Sequence, residues 1–179
     1  MEILSSILKM ALVIILPGLL IVVAICQDSI AQALEIGASA SGRENMIKNG
    51  NFEEDTDGDG MADYWQFSGD KGVTATWTRD KGYTSQYSQK ITCTSFTRLS
   101  PASHVMLCQV NTVHLEKGKW YRISFAAKQE GIHSRAVQVA ISNMNPWRNC
   151  GLQESFRLSR EWKQFESVFQ ATETISENI

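Results

Sequence analysis

From Gly72 onward apolar side chains recur at every second position, and a period of two fits a strand and not a helix. Val73, Ala75 and Trp77 alternate with Thr74, Thr76 and Thr78. Tyr87, Ile91 and Cys93 share one such run; Met106, Cys108 and Val110 share another. Tyr121, Ile123, Phe125 and Ala127 alternate with Trp120, Arg122, Ser124 and Ala126. Val137, Val139 and Ile141 follow, and Phe165 and Phe169 close the series. No segment carries helical periodicity. Short strands split by turns such as Glu116-Lys117-Gly118-Lys119 predict an all-β, antiparallel sandwich of jelly-roll type.

The stretch Asn49 to Trp65 opens the folded region. It sets Asp55, Asp57, Asp59 and Asp63 within nine residues, with Gly58 and Gly60 between. Four crowded carboxylates repel one another unless a cation neutralises them, and oxygen donors suit calcium. Counted as an EF-hand from Asp55, the loop keeps Asp57, Asp59 and Gly60 in register, and Asp63 falls ninth. The twelfth position is Gln66, which cannot chelate as a carboxylate does. The expectation is a short calcium loop; the alternative is a solvated acidic turn without metal.

Met10 to Cys26 is an uncharged apolar run after Lys9, broken by Pro17-Gly18. It reads as an N-terminal helix, either a signal peptide or a short membrane anchor. Ala31-Gln32-Ala33 offers a small-x-small processing step, so residues 1–33 are the signal or anchor. Cys26 raises a lipoprotein reading, against which Ile25 is large for the position before a lipidated cysteine. Every version exports the rest: a secreted or cell-surface protein that meets a membrane only through this segment, if uncleaved. Residues 34–45, small and polar, form a flexible linker. Residues 46–179 make one domain, near the usual size. With 19 acidic and 17 basic side chains and no basic cluster, nucleic acid is not a partner.

Cys93 and Cys108 could bridge in an exported protein or stay as free buried thiols; Cys150 is left over. His104, His114 and His133 form no motif with one another or with a cysteine, and Glu53, Glu54, Glu154 and Glu161 read as surface charge. No enzyme is apparent. A binding face is better supported. Gln109, Asn111, Arg122, Ser124 and Gln138 are expected to face outward, with Ala126 and Ala140 as a floor. Trp147, beside Asn143 and Arg148, sits in a polar turn where no core needs it. Amides and a guanidinium suit sugar hydroxyls, and an indole suits the C–H face of a sugar. The competing reading of these polar residues is the wet face of any half-buried sheet.

Three motifs stand in order: Asn49-Gly-x-Phe-Glu53 followed by Trp65, Leu115-x-x-Gly118-x-x-Tyr121-x-Ile-Ser-Phe125, and Trp162-Lys-Gln-Phe165-x-x-x-Phe169. Together they resemble a family 4/9 carbohydrate-binding module, from about Met46 to the last residue. The resemblance implies a jelly roll of galactose-binding-domain-like type, a structural calcium and a cleft for single chains of β-glucan, cellulose or xylan type. It implies no catalysis, but a place as the accessory module of a secreted glycoside hydrolase. Asn143 and Pro146-Trp147 are similar to the family's Asn-x-x-Pro-aromatic loop, whose ring stacks on sugar; Gln109 or Asn111 matches a cleft amide, and Phe67 lies near a second cleft aromatic. Trp65, Tyr121, Phe125 and Trp162 match core positions. The family's last two strands have no counterpart before Ile179, so the chain reads as a fragment. The Asp55 to Asp63 loop is an insertion relative to the family turn. Two other functions compete: a calcium-stabilised adhesion or structural sandwich without glycan binding, and a jelly-roll lyase.

Overall fold

The computed structural model describes residues 19–23, 29–38, 45–100, 103–132, 136–144 and 147–175. Ten strands are described: β1 (Leu19–Val23), β2 (Ser29–Ala38), β3 (Gln66–Gly69), β4 (Val73–Lys81), β5 (Tyr87–Phe96), β6 (Val105–Cys108), β7 (Trp120–Gln129), β8 (Ala136–Met144), β9 (Trp147–Arg157) and β10 (Lys163–Gln170). Among the described residues there is no helix. The first sheet has the order β3-β6-β1-β8-β9 and the second β10-β7-β2-β5-β4, with every neighbouring pair antiparallel.

The alternation read from the sequence decides which face of each strand is buried. On β7, Tyr121, Ile123, Phe125 and Ala127 are buried, while Trp120 is exposed and Arg122 and Ser124 are half-buried. Val137, Val139 and Ile141 of β8 are buried likewise. The two sheets meet through rings: Phe125 of β7 packs edge-on against Phe156 of β9, centroids 5.0 Å apart. Phe165 of β10 lies against both, at 5.1 and 5.7 Å. At the opposite edge Phe67 of β3 meets Trp77 of β4 at 5.0 Å, which leaves Trp77 partly exposed. The expected turn before β7 is present. Lys119 N–H donates to the Glu116 carbonyl, and Gly118 takes a φ of +85° that suits glycine.

The helix expected in the N-terminal apolar run is not found among the described residues. Leu19–Val23 and Ser29–Ala38 are strands, each inserted inside a sheet. β1 pairs with both β6 and β8; β2 pairs with both β5 and β7. The backbone groups facing these slots need partners, and Ile21, Val22 and Val23 are β-branched residues that sit well in a strand. The Ala31-Gln32-Ala33 step and the beginning of the expected linker thus fall within β2. Pro17-Gly18, Cys26, His133 and the end of the chain at Ile179 lie outside the described residues.

Cys93 belongs to β5 and Cys108 to β6, so they stand in opposite sheets rather than on neighbouring strands. Both thiols are free and buried, as is that of Cys150. Burial pushes the Cys108 thiol up to about 12. Burial, then the Glu173 charge, raises Cys150 to about 11. Thiolate is the reactive form. All three are buried, so they should resist a thiol reagent such as DTNB at pH 8 in the folded protein and react at once in denaturant. Fast labelling of any of the three in the native state, located by mass spectrometry, would contradict this placement.

Candidate functional site

The acidic loop is built around Asn49, whose backbone lies in the left-handed region at φ 45°. Its amide nitrogen donates to the carbonyls of Glu54 (2.8 Å) and Asp63 (3.1 Å), and its Oδ1 accepts the Glu54 N–H. Its own carbonyl accepts from the Phe52 amide and the Trp65 indole. One side chain and one carbonyl thus clasp both ends of the loop. Phe52 and Trp65 pack beneath it, centroids 4.9 Å apart. Both are buried.

Three side chains tie the loop to the second sheet. Buried Gln89 of β5 donates to the carbonyls of Gly60 and Thr78 and accepts from Ala62 N–H. Arg79 of β4 donates through Nη2 to the carbonyls of Phe52 (2.9 Å) and Glu53 (2.7 Å), and its guanidinium lies 3.7 Å from the Tyr87 ring centre. Glu53 accepts the amides of Gln86 and Tyr87. The loop is held before any ion is considered.

Within that frame Asp55, Asp57 and Asp63 each bring a carboxylate oxygen within 4.8 Å of the other two. Two oxygens that share a calcium at about 2.3–2.6 Å lie no more than about 5 Å apart, so the trio fits that ion. Asp59 is not in the group. All four aspartates accept a loop amide through Oδ1: Asp55 from Gly58, Asp57 from Asp59, Asp59 from Met61 and Asp63 from Thr56. Arg79 Nη1 stands 3.7 Å from Asp55 and offsets part of the negative charge. Beside the loop lies a hollow of about 380 Å³, bounded by Asp57, Asp59, Asp63, Tyr64 and Trp65 among others.

The expected sugar-binding residues divide between the two sheets. Gln138 and Asn143 lie on β8 of the first sheet, both half-buried, and Trp147 and Arg148 open β9. Asn143 pairs in register with Arg148, and Met144 with Trp147, so the four residues cap one hairpin. The Trp147 side chain lies outside the described ones. Exposed Asn111 follows β6 of the same sheet with φ 58°. Arg122 sits on β7 of the second sheet, where it meets Glu166 at 3.3 Å, so it does not join the others on one face. Gln109 has 0% exposure, and its amide bonds the backbone of Lys48 in both directions. That carboxamide anchors the chain entering the loop and offers no free edge to a ligand. Ala126 and Ala140, expected as an open floor, are buried.

The hairpin tip is braced. Asn149 donates to the carbonyls of Ile141 and Leu152 and accepts the Gly151 amide. Gly151 has φ +117°, and a Cβ there would lie 2.2 Å from the Gln170 carbonyl oxygen, so no other residue fits. Arg148 reaches Glu173 at 3.5 Å, and Thr172 N–H donates to the Cys150 carbonyl.

One cluster escaped the sequence reading. Trp162, expected in the core, is only half-buried and lies tilted against Tyr83, which is 43% exposed, at 5.9 Å. Lys128 lies 5.4 Å above the same indole. The residues come from three separate connections or strands, and only the cationic setting of Trp162, between Arg160 and Lys163, hinted at it. The His104 ring meets Asp70 at 3.3 Å. The adjacent Ser103 hydroxyl accepts the amides of Leu99 and Ser100 and closes a turn.

Arg79→Met should remove the clamp on Phe52 and Glu53. Charge-assisted hydrogen bonds of this kind contribute about 1.5–3 kcal/mol each, so a loss of about 2–4 kcal/mol is expected. Thermal melting should read this as a Tm lower by roughly 5–15 °C. An unchanged Tm would show that the loop holds itself without Arg79.

A family model described as a carbohydrate binding domain, CBM_4_9, matches residues 44–178. Searches of curated proteins and of solved structures found no match.

Proposed function

Since the chain belongs to the family 4/9 carbohydrate-binding modules, we propose that it holds single polysaccharide chains of β-glucan, cellulose or xylan type along its first sheet. Carbohydrate binding without catalysis is what membership of the family establishes. The finer reading rests on one observation. The β8–β9 hairpin gathers Gln138, Asn143, Trp147 and Arg148 on the same sheet as Asn111, and it is braced against residues 170–173. Amides and a guanidinium hydrogen-bond to hydroxyls, and an indole at the tip stacks on a sugar ring. Arg122 and Gln109 take no part in this version of the site. The jelly-roll connectivity and service as the targeting module of a secreted glycoside hydrolase belong to the same reading, which follows the family.

Trp147→Ala is expected to weaken binding to soluble β-glucan and xylan about thirtyfold, the equivalent of about 2 kcal/mol for one stacked ring. Affinity gel electrophoresis reads the change. The Tm should stay where it was, since the residues around Trp147, Asn143 to Asn149, read as a polar turn. Undiminished retardation of the variant in the gel, or an unfolded variant, would remove the hairpin from the binding site.

Calcium is the second part of the reading. Asp55, Asp57 and Asp63 would supply carboxylate ligands, and the ion would relieve their mutual repulsion. It has no part in catalysis and stiffens the loop over Phe52 and Trp65. A site filled at about a hundred times its dissociation constant stabilises the fold by about 2.7 kcal/mol. EGTA should lower the Tm of the calcium-loaded protein by several degrees, and Asp57→Asn with Asp63→Asn should erase the difference. Equal melting with and without chelator would leave an acidic turn held by its own amides.

The module is placed outside the cell by the apolar run at Met10–Cys26, acting as signal or anchor. Cleavage after Ala33 would withdraw β1 and half of β2 from the sheets, and an anchor spanning Met10–Cys26 would withdraw β1.

A further inference from the structure

At one end of the sandwich, where β7 and β9 finish and β10 begins, lies a cavity of about 780 Å³. Its volume is within the range of roughly 300–1,000 Å³ typical of ligand pockets. Arg157, Arg160 and Lys163 line it, and no carboxylate does. Glu130 and Glu161 are close in sequence but are not part of the wall. In a chain with a formal net charge of −2, three cations around one hollow are a local excess.

These groups are not engaged elsewhere. Among the described residues neither Arg157 nor Arg160 makes a salt bridge or a side-chain hydrogen bond, and Lys163 makes only a ring contact, 5.4 Å from Phe165. Buried Gln129 accepts the Ile132 amide through Oε1, which leaves its NH2 donor without a partner among the described residues. The Ser159 hydroxyl is turned to the Glu161 carbonyl. The wall therefore presents donors and positive charge, and two guanidinium groups match the planar geometry of a carboxylate.

Immediately beside it in the chain is Trp162, with Tyr83 tilted against it and Lys128 above. A half-exposed aromatic pair next to a cationic hollow fits a ligand that carries both a sugar ring and an anion. We infer that this end of the sandwich is a second glycan site, separate from the first-sheet hairpin, which takes the carboxylate of a uronic-acid residue in an acidic polysaccharide. The inference rests on the reading of the protein as a glycan binder, and it extends the ligand class from neutral to acidic chains. Arg157, Arg160 and Lys163 hold the carboxylate, Gln129 adds a neutral donor, and the neighbouring sugar lies on Trp162 and Tyr83.

The test uses the whole chain in calorimetric titrations with oligogalacturonate, cello-oligosaccharide and inorganic phosphate. Oligogalacturonate should bind, and Arg157→Gln with Arg160→Gln should weaken that binding at least tenfold and leave cello-oligosaccharide unaffected. Raising sodium chloride from about 0.05 to 0.5 M should weaken only the acidic ligand, because salt screens exposed charges. Backbone amide shifts at Gly131 and Ser159 in the unmutated protein give a second readout that does not depend on how the variant folds. If oligogalacturonate binds the double variant as well as the original, or if phosphate alone binds equally tightly, the inference is overturned. Cello-oligosaccharide binding without oligogalacturonate binding overturns it too and leaves the hairpin reading standing. The reverse outcome, acidic chains bound through the cavity and neutral ones nowhere, supports it and removes the hairpin reading. Failure of both ligands removes both.

Discussion

Contact between the two sheets is the constraint on which everything else depends, and Phe125 is at its centre. It touches Phe156 of the facing sheet and Phe165 of the adjoining strand, so one ring joins three strands. Burying such a side chain contributes about 1.5–3 kcal/mol, and well-placed ring pairs add about 0.5–1.5 kcal/mol. Without this layer the strands would have no dry face, and neither the loop nor the hairpin would have a platform. The aromatic layer also explains the alternation along β7. An inward step of one residue would send Arg122 and Ser124 into the apolar layer and expose Ile123 and Phe125.

The acidic loop is held by charged and neutral side chains together. The charged Arg79 and Glu53 clamp the loop to the second sheet. Asn49 closes the loop on itself and Gln89 joins it to the second sheet, each using donor and acceptor together. Each of the four aspartates accepts a backbone amide of the loop, and the Asp55 carboxylate, only 5% exposed, faces Arg79. A loop arranged in this way takes its shape from its own aspartates as well as from the sheet beneath it.

The sequence made the strands legible wherever one face was polar. Tyr121 to Ala127 and Val137 to Ile141 showed their inner faces directly, and Gly118 marked its turn. It was silent where both faces are covered. β6 is buried throughout, so the alternation of Met106, Cys108 and Val110 held no information about inside and outside, and Gln109 was taken as a surface amide. Arg122 was grouped with Gln138 because strand order is not written in a local pattern; only the pairing of β7 with β10 and β2 puts it on the other sheet. An apolar run such as Leu19–Val23 suits a helix or a strand equally, and the neighbours that decide lie far along the chain. Tyr83 and Trp162 meet for the same reason: two connections at one end of the second sheet converge, and no local signal announces it.

The bracing of the β8–β9 hairpin has a mechanical meaning. If a polymer is held at the tip, as proposed, tugging on it pulls on Trp147 and Arg148, and a lone hairpin under such a load would unzip one ladder pair at a time. Here Arg148 leans on Glu173, Thr172 is bonded to Cys150, and Gly151 lies directly against Gln170 at the end of β10. Since β10 is paired along its length with β7, load entering through the first sheet passes at once into the second. The hairpin then behaves as a cleat fixed to both walls of the sandwich. Drag on a long, moving glycan is spread over many hydrogen bonds that must fail together.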